Sequence, residues 1–224
     1  MLAVVLMACK SVPVAPVVVP AAPPPPVPVD RKAAWILRLE QQRVLRDVTD
    51  APAAESVPGP RALAGARAAD LTLLLLDTDA GVRRRSALAI GRVGRAEGVA
   101  PLVGALGDTE EAVRASAAFA LGLIGSPDAV APLTAALKDP SPLVRGRAAE
   151  GLGLVGQAAA AAAVADASLD CRQKLSAVAP DDESTQTPEV EACRLALFSL
   201  VRLKQYDQLA RVALDDQGRP VSRW

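Results

Sequence analysis

The chain has 224 residues, enough for one ordinary domain or a short repeat array. Its 25 Lys and Arg balance 25 Asp and Glu, so net charge points to neither nucleic acid nor an acidic surface as partner. There is no His, which removes the commonest general base and the commonest neutral metal ligand together, and aromatics make up only 2% against 51% hydrophobic residues; a core built from Ala, Leu and Val suits closely stacked helices better than a broad β-sandwich.

Residues 1–9 are apolar up to Cys9. The run Leu6-Met7-Ala8-Cys9 resembles a bacterial lipobox, in which the Cys becomes the lipidated first residue of the mature protein. The resemblance implies lipidation at Cys9, a membrane contact through that lipid anchor only, and a place in the bacterial cell envelope facing the periplasm or exterior. The segment departs from a full signal in three ways: Met7 is not the usual choice at its place, no basic n-region precedes it, and only seven apolar residues come before the Cys. A clipped or mis-assigned start is expected. The other reading is a disordered apolar tail. A transmembrane helix is excluded, because it would need about 20 apolar residues.

Residues 10–29 form a linker. From Ser11 to Val29, eight of 19 residues are Pro, a composition that favours extended polyproline II over helix or sheet. At ~3.1 Å per residue it would reach about 60 Å, which suits a spacer holding a domain off a membrane and equally a plain linker. Residues 30–60 form a cap and a loop. Asp30 is placed to N-cap a helix over 31–47, in which Trp35, Ile36, Leu39, Val44 and Leu45 recur near helical spacing. Three Pro and a Gly mark a loop over 49–60. The stretch 61–76, ending in four Leu, reads as the first helix of the first full repeat.

From residue 61 onward the chain is organised by a repeat. Asp77, Val82-Arg83, Ala87, Ile90-Gly91 and Val93-Gly94 return as Asp108, Val113-Arg114, Ala118, Leu121-Gly122 and Ile124-Gly125. They return again as Asp139, Val144-Arg145, Ala149, Leu152-Gly153 and Val155-Gly156. The period is 31 residues without a slip, which signals a solenoid of helix pairs. Helix A is predicted over 99–106 and 130–137, with Pro101 and Pro132 in its first turn. Helix B starts near each Val and ends on the closing Gly as a C-cap. Gly91, Gly122 and Gly153 would each cost ~1 kcal/mol in an isolated helix; their recurrence argues for a close backbone approach by the neighbouring helix.

The Asp and Arg of each unit sit six residues apart, and the pattern resembles HEAT repeats of the short, phycobilisome-lyase-like type. The resemblance implies an all-α fold, a right-handed α-solenoid of stacked helix pairs behind the disordered N-terminal tail. It implies that Asp77, Arg83, Asp108, Arg114, Asp139 and Arg145 form a structural ladder of charge-assisted hydrogen bonds between successive repeats. In such solenoids helix B lines the concave, binding side. The non-repeating residues there are Arg85, Leu88 and Arg92 in the first unit, Phe119 and Leu123 in the second, and Arg147 and Glu150 in the third. An aromatic flanked by Arg suits a peptide or protein partner; the competing reading makes Phe119 ordinary core and the Arg residues a solvated face.

After Gly156 the period is expected to break. Residues 157–166 are nearly all Ala, a strong helix former that packs little. An insertion follows at about 168–188, its polar part over 180–188, flanked by Cys171 and Cys193. In an exported protein these two would form a disulfide across the base of the loop; in a cytosolic one they would be free thiols. Two Cys without His make an incomplete metal site. Residues 189–203 read as a helix B with Val190, Leu197, Leu200 and Val201 as the seam, and 206–214 as a helix A. Asp216 to Val221 repeats the Asp-to-Val spacing just before Trp224, so a truncated last repeat, and a piece of a longer protein, are expected.

No nucleophile–base pair and no Gly-rich phosphate loop is present. The reading is a non-catalytic, monomeric scaffold for a protein or peptide partner, tethered to a membrane, with no cofactor, no metal and no nucleic acid. The alternative is an accessory region of an enzyme whose catalytic domain lies beyond Trp224, since bacterial proteins resembling this one can carry a cyclophilin-like peptidylprolyl isomerase domain. Chromophore-lyase activity, associated with the family resemblance, ranks below both, because export would separate the chain from cytoplasmic phycobiliproteins.

Overall fold

The computed structural model describes residues 26–47, 69–176, 187–214 and 218. The predicted lipidation site Cys9, the linker up to residue 25, the loop over 49–60 and the start of the predicted helix at 61–68 lie outside the described residues. So do most of the polar insertion and the repeat-like end, including Val221 and Trp224.

Among the described residues there are eleven α-helices and no β-strand. Three helix-B segments of equal length form the middle of the array: α3 (Ala80–Val93), α5 (Glu111–Ile124) and α7 (Pro142–Val155). Each ends on a Gly in the left-handed region, with φ of 74° at Gly94, 71° at Gly125 and 71° at Gly156, a conformation costly for any residue with a Cβ. The chain then turns through single 3-10 turns, Ala96–Gly98 and Pro127–Ala129, into the helix-A segments α4 (Val99–Ala105) and α6 (Val130–Ala136). The core lies between the two layers. Val82, Ile90, Leu121 and Leu152 share one apolar cluster with Leu102 and Leu133, all essentially inaccessible to solvent, and Val113 and Val144 are buried as well.

The predicted close approach is present. A Cβ on Gly122 would lie 2.5 Å from the Cα of Gly151 on α7, and one on Gly91 2.6 Å from the Cα of Ala120 on α5. The helix-B layer packs backbone to backbone, which explains why three residues that weaken an isolated helix recur.

The flanks differ from expectation. α1 runs Val29–Gln42, with Pro28 rather than Asp30 at the N-cap; Asp30 sits in the first turn. Pro28, at φ −59°, starts the helix without needing a side-chain cap, and Arg43 in the left-handed region stops it five residues before the predicted Asp47 end. Val44 and Leu45 then fold back against the core. α1 packs on α3 as one more member of the helix-B layer. Within the described part of the predicted 61–76 helix, only α2 (Leu71–Leu74) is helical, capped by the Asp70 carboxylate accepting from Thr72 N–H at 2.8 Å.

The period does not break at Gly156. The 3-10 turn Ala158–Ala160 and α8 (Ala161–Ala167) fall 31 residues after their counterparts, and Val164 is buried at the place of Leu102 and Leu133. The run of Ala therefore packs as a regular helix A rather than packing little. The interruption comes after Asp170, where α9 (Cys171–Ser176) and the insertion precede α10 (Pro188–Arg202). α10 packs on α7 in the helix-B layer, and α11 (Tyr206–Ala213) packs against α10 and α9. Val201, expected in the α10 seam with Val190, Leu197 and Leu200, is instead 42% exposed while the other three are buried.

Candidate functional site

The ladder residues come together across the units. Arg83 donates from Nε and Nη2 to the two Asp108 carboxylate oxygens at 2.7 and 2.9 Å, while its Nη1 donates to the carbonyls of Asp77 and Thr78 at 2.8 and 3.2 Å. Arg114 repeats this with Asp139 at 2.8 and 3.0 Å and with the carbonyls of Asp108 and Thr109 at 3.0 and 3.2 Å. Each guanidinium thus ties its own A–B turn to the carboxylate of the next unit through a planar fork, a geometry Lys cannot reproduce. Each carboxylate also accepts the N–H two residues on: Asp77 from Asp79, Asp108 from Glu110, Asp139 from Ser141.

These bonds shift the carboxyls. The hydrogen bond from Arg83 holds Asp108 below its usual value, against burial, with help from the Glu110 N–H and nearby charge. At Asp139 burial pushes the carboxyl up, but the Arg114 bond, the Ser141 N–H and the charges of Arg114 and Arg145 outweigh it and the net shift is downward. Asp77 behaves likewise, and its cation is Lys32 of α1, 2.6 Å away. That rung was missed in sequence: a Lys stands for the Arg, and the spacing to Asp77 does not follow the period.

Arg145 keeps only the carbonyl half of the pattern, donating to Asp139 and Pro140 at 2.9 Å each. The periodic partner Asp170 is bonded to Lys174 at 2.6 Å. Cys171 and Cys193 are joined by a disulfide that ties α9 to α10.

The non-repeating residues occupy positions six, nine and thirteen of helix B. Arg85, Leu88 and Arg92 line a cleft of about 300 Å³ against Ala33, Ile36, Leu37 and Glu40 of α1. Arg92 is paired there with Glu40 at 3.1 Å. In the middle, Phe119 is half-buried, with the Arg147 guanidinium 5.4 Å from its ring centroid, and Arg147 is also bonded to Glu150 at 2.6 Å. Leu123 is 38% exposed. Of the seven residues, then, Arg92, Arg147 and Glu150 are engaged within the chain, while Arg85 and Leu123 present exposed side chains.

Sequence reasoning missed Phe198, 54% exposed on α10, with the Arg202 guanidinium 5.9 Å from its ring. It extends the aromatic-plus-Arg pattern past the third unit. The signal available was the Phe198/Arg202 spacing of four, which puts both on one helix face. Among the described residues no group of three His, Cys, Asp or Glu is placed to hold a metal ion, and no helix is long and apolar enough to cross a membrane.

No curated protein matches the chain in sequence. Among solved structures, the chain is similar to the complex of CpcE and CpcF of phycocyanin lyase from Nostoc sp. PCC7120. The identity is 25%, the TM-score 0.53, and the match covers 68% of this chain and 60% of that one. The chain thus spans less than two thirds of that protein's length. An engineered protein (26% identity, 60% and 61% covered, TM-score 0.41) and human deoxyhypusine hydroxylase in complex with glycerol (24%, 75% and 53%, TM-score 0.43) also match.

The lyase match overturns the expectation that the chain is not an enzyme: an array of this kind is part of a lyase. Lack of His removes one class of general base, but carboxylates, Lys and Tyr remain available for proton transfer. The family model for HEAT repeats matches residues 68–139 and 99–179, together half of the chain. With the 31-residue helix pairs and the Arg–Asp rungs between them, this chain belongs to the HEAT-repeat family.

Proposed function

We propose that the array is a scaffold for a protein or peptide partner, and that the partner lies along the helix-B face through Leu88, Phe119, Leu123 and Phe198. The observation that carries this is Phe198, a large aromatic left 54% exposed beside Arg202. Aromatic and Arg side chains are enriched among the residues that dominate interface energetics, and Phe198 with Arg202 repeats the Phe119–Arg147 pairing further along the array. The match to a chain that works within a CpcE–CpcF complex supports the same reading. Affinity capture with the wild-type array, Phe198→Ala and Phe119→Ala tests it. The expected result is a partner retained by wild type and lost from Phe198→Ala, with the two melting alike; equal retention by all three refutes the face.

The same proposal places the array, as a monomer, at the bacterial cell envelope through a lipid on Cys9. Support comes from the lipobox-like run, the Pro-rich spacer and the Cys171–Cys193 disulfide, which persists in oxidising compartments. Palmitate labelling of wild type but not of Cys9→Ser is expected. A Cys9→Ser variant that fractionates with membranes as wild type does would sink the tether.

A further inference from the structure

The ladder ends on an incomplete rung. In two copies the Arg fork clamps the Asp found 25 residues on, as Arg83 does Asp108 and Arg114 does Asp139. Arg145 is pre-set for the same task, because its Nη1 is fixed by the carbonyls of Asp139 and Pro140 at 2.9 Å each. Its Nε and Nη2 have no acceptor among the described residues. Asp170 stands at the periodic place but does not fill it. The other ladder Asp residues are locked in a turn by the N–H two residues on, which feeds straight into a helix B. At Asp170 the chain enters α9 at once, and the carboxylate is taken by Lys174. Beside the open edge lies a cleft of about 290 Å³, whose charged lining is Arg145 and Lys174 against Asp170 and Glu189. With Asp170 and Lys174 satisfying each other, Arg145 and Glu189 are the charges left in the cleft, and among the described residues they form no bond to each other, so the Arg145 fork stays open to a ligand.

We propose that the open edge of Arg145 is a carboxylate-binding site, and that it takes an Asp at the head of a turn in a partner protein. The ligand chemistry is that of the internal rungs: an Asp whose second oxygen is held by its own turn, so that both oxygens face the fork in one plane. The site is separate from the helix-B face and does not depend on it.

The probe is an acetylated, amidated peptide copied from residues 108–113, Asp-Thr-Glu-Glu-Ala-Val, with an Asn-for-Asp copy as control. The readout is the Arg side-chain Nε–H resonance by NMR on the whole protein. The expected result is a saturable shift of the Arg145 resonance with the Asp peptide, while the clamped Arg83 and Arg114 stay still. Affinity should fall about tenfold or more with the Asn peptide or with Arg145→Gln, as for loss of a charge-assisted bond. Two results overturn the proposal. One is an Arg145 resonance that ignores the peptide. The other is one that already resembles Arg83 and Arg114 without it and moves in Asp170→Asn, which would mean the chain closes its own rung.

Discussion

Replacing Arg114 by Ala removes the middle rung, and the structure sets the size of the loss. Four hydrogen bonds disappear, two to Asp139 and two to the carbonyls of Asp108 and Thr109. Asp139, 11% exposed at its side chain, keeps its charge and only the Ser141 N–H to satisfy it. Removing one partner of a fully buried pair costs about 3–5 kcal/mol, and a surface pair contributes at most about 1. A pair this enclosed but still touching water falls between, at about 2–3 kcal/mol. For a chain of this size that lowers the melting temperature by about 5–10 °C. Arg84 is the control, since it neighbours the ladder in sequence, is exposed and makes no side-chain hydrogen bond among the described residues. Arg84→Ala should stay within about 0.5 kcal/mol of wild type. Thermal melts followed by circular dichroism at neutral pH compare the two. Equal melting temperatures for Arg114→Ala and Arg84→Ala would refute the ladder as a stabilising element.

The ladder also makes stability depend on acid. Asp108 has a folded value lowered from 3.8, so its contribution is complete above that value and is lost as pH falls through the lower, folded one. Wild type should therefore lose stability below about pH 4 more steeply than Asp108→Asn, which starts lower at pH 7 but changes less; parallel curves would count against the rung. At the helix-B crossing, Gly122→Ala drives a methyl to within 2.5 Å of a backbone atom of Gly151. Since backbone cannot swing aside, the expected cost is about 1–3 kcal/mol by denaturant titration, despite the better helix propensity of Ala.

The parts legible in the sequence were those where one residue type has one job. Gly at a left-handed C-cap, Gly at a helix crossing and Arg opposite Asp recur because no other residue does as well, so the three central units and the two Arg–Asp rungs between them are legible in the sequence, while the Lys32–Asp77 rung and the unfilled place beside Arg145 are not. The fourth helix A escaped because Ala carries no contrast: Ala160 and Val164 are buried as their counterparts are, yet the segment reads as featureless.

Phe198 escaped for a geometric reason. Counted from Pro188, it falls in the column of Ile90, Leu121 and Leu152, which is buried. But α10 slides along α7 by two residues. Gly122 meets residue ten of the next helix, Gly151, whereas Gly153 meets residue twelve of α10, Ser199. The slide turns Phe198 outward to the place of Phe119, exposes Val201 at the end of the stack, and brings Cys193 to the column of the ladder Arg residues. No spacing rule anticipates a slide that arises where an insertion separates a turn from its helix.

The claim most in need of a direct measurement is that recognition uses the helix-B face while the repeated residues only hold the stack. A photo-crosslinking residue can be placed in turn at Leu123, at Phe198 and at Leu169, which is 67% exposed in the turn after α8 on the helix-A side. The account predicts adducts with the captured partner from Leu123 and Phe198 and none from Leu169. Adducts from Leu169 alone, or equally from all three, would contradict it.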